Sequence, residues 1–175
     1  MGNIKYIIAV YFVIVIVTMI LLYSLGYFKN ISYIFLPNGR PNGSPIHGSY
    51  IVTAYFHDPR YFKIFHHQHE GIDLVPKNLS NIYLYSTING IGYNNYDVCG
   101  GNSVIIKNLN YIIYLGHINV SYIHSGDEIH YGEKVAQIGE TGMFGVCVTG
   151  VHVHYQIYKH EDNNWVIVNP YPYML

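Results

Sequence analysis

The stretch GVHVHYQIY, residues 150–158, alternates histidine with branched and aromatic residues near the end of the chain. This alternation predicts a β-strand, because successive side chains of a strand point to opposite faces of its sheet. His152 and His154 therefore share one face. The opposite face carries three apolar or aromatic residues, Val151, Val153 and Tyr155. Two histidines can simply belong to a solvated face, and H-x-H alone is a weak signal, so their meaning depends on the partners that the chain supplies.

Short runs of the same kind fill the chain from Ser49 onward. Each is rich in β-branched or aromatic residues, and Gly, Asn and Asp separate them: SYIVTAYF, NIYLYSTI, NSVIIKNL, YIIYLGHI, EKVAQIGE, HVHYQIY and WVIVNPY. No segment there has a long apolar period of 3.6 residues. The pattern predicts an all-β domain over residues 49–175, an antiparallel sandwich or barrel-like arrangement.

Composition narrows the possible partners. Charged residues make up 11% of the 175 residues, the formal net charge is −1, and there is no run of Lys or Arg. Nucleic acid is excluded as the main partner, because phosphate binding needs clustered positive charge. Histidine is abundant, with 11 residues against nine Lys and Arg combined. This excess makes a metal or acid–base site worth seeking.

The N-terminal region has a different composition. Residues 6–25, YIIAVYFVIVIVTMILLYSL, contain no charge, and about 20 apolar residues suffice for a helix to cross a bilayer. The segment that follows lacks the small-residue pattern of a signal-peptide cleavage site. We therefore predict a retained transmembrane anchor over residues 1–30. It would place the C-terminal domain outside the cytoplasm, or on the virion surface if the protein is viral. Residues 31–48 are rich in Pro, Gly and Asn, which predicts a linker.

Partners for the two histidines occur in HHQHEGIDLVP, residues 66–76. Gly71 and Pro76 argue against a helix here. In an extended chain His69 and Asp73 lie on one face, since their separation is even. Imidazole and carboxylate together are a usual start to a zinc site. Asp73 also stands where the second histidine of H-E-x-x-H would be, which excludes that helical zinc motif. A further histidine, His117, ends the apolar run YLGHI.

In this order, the motifs resemble those of the lysostaphin/LytM-type zinc endopeptidases, which cut the peptides of peptidoglycan. HEGID (69–73) is similar to the family's H-x-G-x-D, LGHI (115–118) to its Y-G-H-L, and GVHVHY (150–155) to its G-x-H-x-H-F. The glycine-punctuated residues 125–145 also resemble a family segment. The resemblance extends from about Ser49 to the C-terminus, and the ordered set is far more specific than any single motif.

This resemblance implies a LytM-type β fold and one Zn²⁺ per domain. His69, Asp73 and His154 would hold the zinc, and His117 and His152 would be the catalytic residues that flank it. By this resemblance, His152 would act as the base and His117 would stabilise the developing oxyanion. The expected function is that of a membrane-anchored zinc metalloendopeptidase that hydrolyses peptide cross-links of cell-wall peptidoglycan.

An alternative function belongs to a different class, a non-catalytic LytM-like module that binds the wall or regulates a partner. Such relatives usually lack some of the five site residues. All five are present here, which favours the enzyme.

Two features of the chain bear on the groove around the site. His57 stands where the resembled family often has glycine, and Arg60 is displaced by one position from the arginine of a similar segment. Cys99 and Cys147 would both border the groove in the resembled fold. A disulfide between them and two free thiols are both open at this point.

Overall fold

A computed structural model describes residues 2–24, 39–78 and 82–175, with side chains in the first range from residue 10 onward. The chain divides into two compact units, Met1–Leu36 and Pro37–Leu175. The first contains helix α1, Gly2–Ser24. Residues 25–38, which include the end of the predicted anchor and the start of the predicted linker, lie outside the described residues.

The predicted transmembrane anchor is not supported. Among the residues that the structure describes, no helix meets both the length and the hydropathy that a membrane span requires.

The second unit is built mainly of short β-strands. In chain order they are β1 Tyr50–Ala54, β2 Ile72–Pro76, β3 Tyr83–Tyr85, β4 Gly90–Asp97, β5 Gly101–Lys107, β6 Tyr111–Gly116, β7 Val120–Ser121, β8 Glu128–Ile129, β9 Lys134–Gln137, β10 Val153–Glu161 and β11 Asn164–Val168. One short helix, α2 (Pro59–Phe65), lies between β1 and β2, and a 3₁₀ turn (Tyr171–Tyr173) follows β11.

The strands form two sheets, and all their pairings are antiparallel. The larger sheet has the order β1-β2-β10-β6-β5-β4-β8, with β11 also paired to β10, and the smaller has the order β3-β9-β7. Residues of both sheets share one hydrophobic core, for example Leu84 of β3, Ile106 of β5 and Val135 of β9. The predicted antiparallel β-domain is therefore confirmed.

Strand β10 occupies the position that matters most for the site. Its first residues pair with β2 on one edge, and residues from His154 onward pair with β6 on the other. Val153, Tyr155 and Ile157 are fully buried, so one face of the strand packs into the core as predicted. The strand begins later than predicted. Val151 precedes it and is 41% exposed, so Val151 is not part of the core face.

Helix α2 was not expected from the sequence. Asp58 caps its first turn by accepting a hydrogen bond from the Arg60 backbone N–H, and Pro59 stands at the first helical position. The helix ends at Phe65, and the next residue, His66, caps it in the left-handed conformation. Part of the predicted linker also packs against the domain. Ile46 is only 3% exposed and belongs to the core.

Candidate metal centre

Three predicted ligands converge where β2 meets β10. Asp73 and His154 lie directly opposite each other in the strand pair, and His69 comes from the loop that precedes β2. Their candidate ligand atoms are His69 Nε2, Asp73 Oδ1 and His154 Nδ1, which lie 3.0–3.1 Å from one another. Ligands about 2.1 Å from a tetrahedral zinc are separated by about 3.4 Å. The three atoms thus need only a small outward movement to hold the ion.

The surroundings of His69 fix which of its nitrogens faces this centre. Its Nδ1–H donates to the backbone carbonyl of Tyr55 at 2.8 Å, which leaves the lone pair of Nε2 for the metal. The ring is 1% exposed and stacks on the Tyr61 ring, with the centroids 4.3 Å apart. This ligand is therefore oriented from two sides before any metal binds.

The carboxylate supplies the negative charge of the centre. Burial disfavours the ionised form of Asp73, but hydrogen bonds and charge interactions with His154 and His69 outweigh it and hold the pKa of this carboxyl well below its usual value. Asp73 is therefore ionised at neutral pH and ready to bind a cation. Two imidazoles and one carboxylate form a donor set that suits zinc, with one position open for water or substrate.

The two predicted catalytic histidines, His152 and His117, lie beside the three candidate ligands. His152 Nδ1 bonds the Gly150 carbonyl at 2.8 Å, and its Nε2 lies 3.8 Å from Asp73 Oδ1. His117 Nδ1 bonds the Thr141 carbonyl at 2.9 Å. The two rings are 4.6 Å apart between centroids. In both rings Nδ1–H is the donor to a carbonyl, so Nε2 is left as a proton acceptor.

His117 is held in its neutral form. Burial and the neighbouring His152 lower the pKa of His117 to about 4. At neutral pH it can accept a proton at Nε2, but it cannot donate one there until it has been protonated. Its backbone is in the left-handed conformation, with φ 62°, and its N–H donates to the Gly100 carbonyl at 2.8 Å.

Gly71 provides the space that the His154 ring occupies. A Cβ at this position would lie 2.6 Å from His154 Nε2 and 2.7 Å from the Tyr155 carbonyl oxygen, and both distances are too short for real contacts. Because the carbonyl belongs to the core strand β10, it cannot move cheaply. An added methyl group therefore fits only if both the His154 ring and the backbone around residue 71 shift.

We expect Gly71→Ala to weaken zinc binding by roughly 10- to 100-fold, the range seen when the groups that orient metal ligands are lost. The zinc dissociation constant, measured by competition with a chromophoric chelator, checks this. Thermal unfolding of the zinc-free protein shows how much general destabilisation contributes. A variant that binds zinc as tightly as the wild type would contradict the steric role.

A groove crosses the centre and divides into two cavities. The first, of about 320 Å³, is here called the Arg60 cavity, and Asp73 and His152 are among its lining residues. The second, of about 310 Å³, is called the Tyr114 cavity and is lined by the other three site histidines, His69, His117 and His154. Tyr61 and Cys147 border both cavities, so the candidate metal ligands lie between two halves of one groove.

Cys99 and Cys147 form a disulfide, with the Cα atoms 5.3 Å apart. Of the two outcomes that the sequence left open, the bridge is confirmed. It joins the turn after β4 to the loop before β10 across 48 residues of sequence. The adjacent Gly100 accepts the backbone hydrogen bond of His117, so the bridge supports the same turn that holds this histidine.

The structure adds three residues to the site that the sequence did not indicate, namely Tyr55, Tyr61 and Thr141. Tyr55 and Thr141 act through backbone carbonyls, which have no sequence signature, and Tyr61 reaches the site through the unexpected helix α2.

His57 stands where the resembled family often has glycine. Its φ of 54° is in the left-handed region that glycine adopts without strain, yet its N–H still bonds the His69 carbonyl at 2.8 Å.

Comparisons with known proteins agree with this geometry. The model of peptidase family M23 matches residues 67–170, more than half of the chain. This range includes all five predicted site residues.

Solved structures with the same fold include two peptidases at about one quarter sequence identity. A variant catalytic domain of the prophage-encoded M23 protein EnpA from Enterococcus faecalis is 26% identical, with a TM-score of 0.56 over 73% of this chain and 94% of that one. A zinc-containing peptidase from Vibrio cholerae is 25% identical, with a TM-score of 0.58 over 73% of this chain and 39% of that one. This chain thus matches well under half of the Vibrio protein's length. The catalytic domain of lysostaphin from Staphylococcus simulans shares the fold at 18% identity, with a TM-score of 0.52 over 81% of this chain and 94% of that one.

Proposed function

The chain belongs to peptidase family M23, and on that basis we propose that it is a zinc-dependent endopeptidase that hydrolyses peptide bonds in cell-wall peptidoglycan. One observation carries this proposal. His69, Asp73 and His154 bring three ligand atoms within 3.0–3.1 Å of one another, next to two imidazoles that are not needed as ligands. A site that only bound zinc for structural reasons would not need that second pair.

Zinc bound to His69, Asp73 and His154 would supply Lewis acidity for the attacking water and for the scissile carbonyl. The protein's own part is proton transfer. His117 and His152 each bond a backbone carbonyl through Nδ1 and present Nε2 to the site, and either ring can take the proton that water loses as it adds to the carbonyl carbon. The same proton can then pass to the amine nitrogen as the C–N bond breaks.

This geometry refines the roles that the resemblance implied. A neutral His117 accepts at Nε2, so it can stabilise an oxyanion only after it has become protonated. The two rings are 4.6 Å apart, and protonation of one disfavours protonation of the other. We propose that His117 and His152 act as a pair that carries one proton at a time.

The test uses the full chain, purified, stripped of metal and reloaded with one equivalent of zinc. Purified peptidoglycan of several cross-link types is the substrate, and new amino groups measure hydrolysis. We expect release by the zinc-loaded protein and none after chelation, with recovery when zinc is restored. If the zinc-loaded protein binds the wall but leaves every cross-link type intact, the result contradicts the peptidase function and supports the alternative of a non-catalytic wall-binding module.

The location of the domain outside the cytoplasm stays a prediction. The Cys99–Cys147 disulfide supports it, because such bridges persist in oxidising compartments. Protease added to intact cells or particles tests this location, and complete protection of the domain would contradict it.

A further inference from the structure

The two halves of the groove differ in charge. The Tyr114 cavity is lined by the carboxylates of Glu70 and Asp97 and by no Lys or Arg among the described residues. Among the described residues that line the Arg60 cavity, Arg60 is the one Lys or Arg. The carboxylates of this cavity are Asp73, a candidate zinc ligand, and Asp58, which is already paired. Asp58 and Arg60 neutralise each other, so this half offers an incoming peptide the open donor edge of a guanidinium and, apart from the candidate ligand Asp73, no unpaired carboxylate.

Arg60 is held in a defined orientation by Asp58. The Asp58 carboxylate is 6% exposed and accepts from Arg60 Nε at 3.1 Å and from Nη2 at 2.7 Å. It also caps helix α2 through the Arg60 backbone N–H at 2.8 Å. The Arg60 side chain nevertheless remains 73% exposed. Asp58 thus holds one edge of the Arg60 guanidinium, while the other edge faces the groove.

The hydrogen-bonding inventory shows what Arg60 can still bind. A guanidinium has five N–H donors, and Asp58 uses one on Nε and one on Nη2. The edge formed by Nη1 and the second Nη2 hydrogen has no partner among the described residues. That edge matches the two oxygens of a carboxylate. Because Asp58 has already oriented the fork, less side-chain entropy is lost when a carboxylate binds.

We propose that Arg60 is a specificity-determining residue, which binds a carboxylate of the substrate peptide through this open edge. The carboxylate-bearing side of the peptide would then lie in the Arg60 cavity. Glu70 and Asp97 would repel a carboxylate from the Tyr114 cavity, so the charge difference also sets the direction in which the peptide crosses the site. This inference rests on the proposed peptidase function and names the chemistry by which its groove recognises the substrate.

The experiment compares two forms of one substrate. Purified peptidoglycan is used untreated, or after its free carboxyl groups have been converted to primary amides by carbodiimide coupling with ammonia. Cleavage is followed by new amino groups, and kcat/KM is measured on both forms with the zinc-loaded full chain. We expect the wild type to prefer the untreated form by roughly 3- to 10-fold, a modest factor because the Arg60 side chain is largely exposed.

Variants assign that preference to one residue. Arg60→Gln should reduce the ratio to about one, and Arg60→Lys should retain part of it, because lysine keeps the charge but loses the fork. The matched control is Lys63→Gln, which removes a cation from the exposed side of the same helix, away from the cavity lining, and should keep the wild-type ratio. Because each ratio compares two substrates with one protein preparation, it does not depend on the fraction of folded enzyme.

The possible results distinguish a failure of the proposed Arg60 role from a failure of the proposed peptidase function. Cleavage of both forms by the wild type without preference, or a full preference in Arg60→Gln, overturns the role of Arg60 and leaves the peptidase intact. The latter result would also point to direct binding of the carboxylate by zinc. Failure of the wild type to cleave either form overturns the peptidase function itself, and the role of Arg60 with it.

Discussion

Replacing Asp73 with alanine is expected to eliminate stable zinc binding and all measurable hydrolysis. Asp73 lies between the two ligand histidines and is the one anionic group of the three, ionised at neutral pH. Without it, the ion keeps two neutral nitrogens and must complete its coordination with water. We expect the zinc affinity to fall by more than about 100-fold, beyond the usual effect of losing a group that merely orients a ligand.

A neighbouring carboxylate provides the matched control. Glu70 follows the ligand His69 directly, is exposed, and is not one of the grouped ligands. Glu70→Ala should retain one zinc, although it removes the same charge only three residues away from Asp73. Asp73→Asn keeps an oxygen but no negative charge, and we expect it to bind zinc more weakly than the wild type. Full zinc content in Asp73→Ala, measured by atomic emission after gel filtration, would refute the ligand set.

The parts of the site that could be predicted from the residues alone depend on the spacing of residues close together in the chain. His152 and His154 share a face because a strand has a period of two, and β10 keeps that arrangement although it begins only at Val153. The even separation of His69 and Asp73 suggested one extended segment, but His69 lies in the loop before β2, so the loop rather than a strand period brings its ring beside Asp73. The resemblance then brought these two local patterns together, since nothing in their spacing indicates that β2 and β10 are neighbours.

Features that depend on tertiary contact were beyond the sequence. Helix α2 has seven residues, too few for an apolar period to appear, and none of its residues is buried. Its signals were the cap and the proline at Asp58 and Pro59, which are equally common in turns. The Cys99–Cys147 pairing is a further case, because 48 residues separate the two cysteines and only the fold brings them together.

Composition was misleading at the N-terminal edge of the domain. The Pro, Gly and Asn content of residues 31–48 is typical of a linker, yet Ile46 reaches the core. Turn-rich composition describes the local backbone and does not reveal whether a single apolar side chain finds a pocket. His57 is a position whose backbone conformation could not be predicted. This histidine adopts the left-handed region that glycine usually prefers.

Replacing His152 with alanine is expected to separate metal binding from catalysis. Its Nε2 is 3.8 Å from Asp73 Oδ1, whereas the three ligand atoms lie within 3.0–3.1 Å of one another, so its removal leaves them in place. The variant should therefore bind one zinc with near wild-type affinity. Its turnover should fall by ~10²–10⁴-fold, the usual contribution of a general base. His160→Ala removes an exposed histidine from the same strand and should change neither zinc content nor turnover.

His117→Ala should resemble His152→Ala, with zinc retained and turnover lowered by ~10²–10³-fold. The double variant then tests whether the two imidazoles form one proton-carrying unit. Residues that act as a unit are strongly non-additive, so we expect the double variant to be no slower than the slower single variant. Losses that multiply would mean that each histidine contributes separately, which contradicts the shared proton. Zinc loss in either single variant would instead make that histidine part of the metal site. Unchanged turnover in both single variants would contradict the catalytic role of His117 and His152, which is what distinguishes this centre from a simple zinc-binding site.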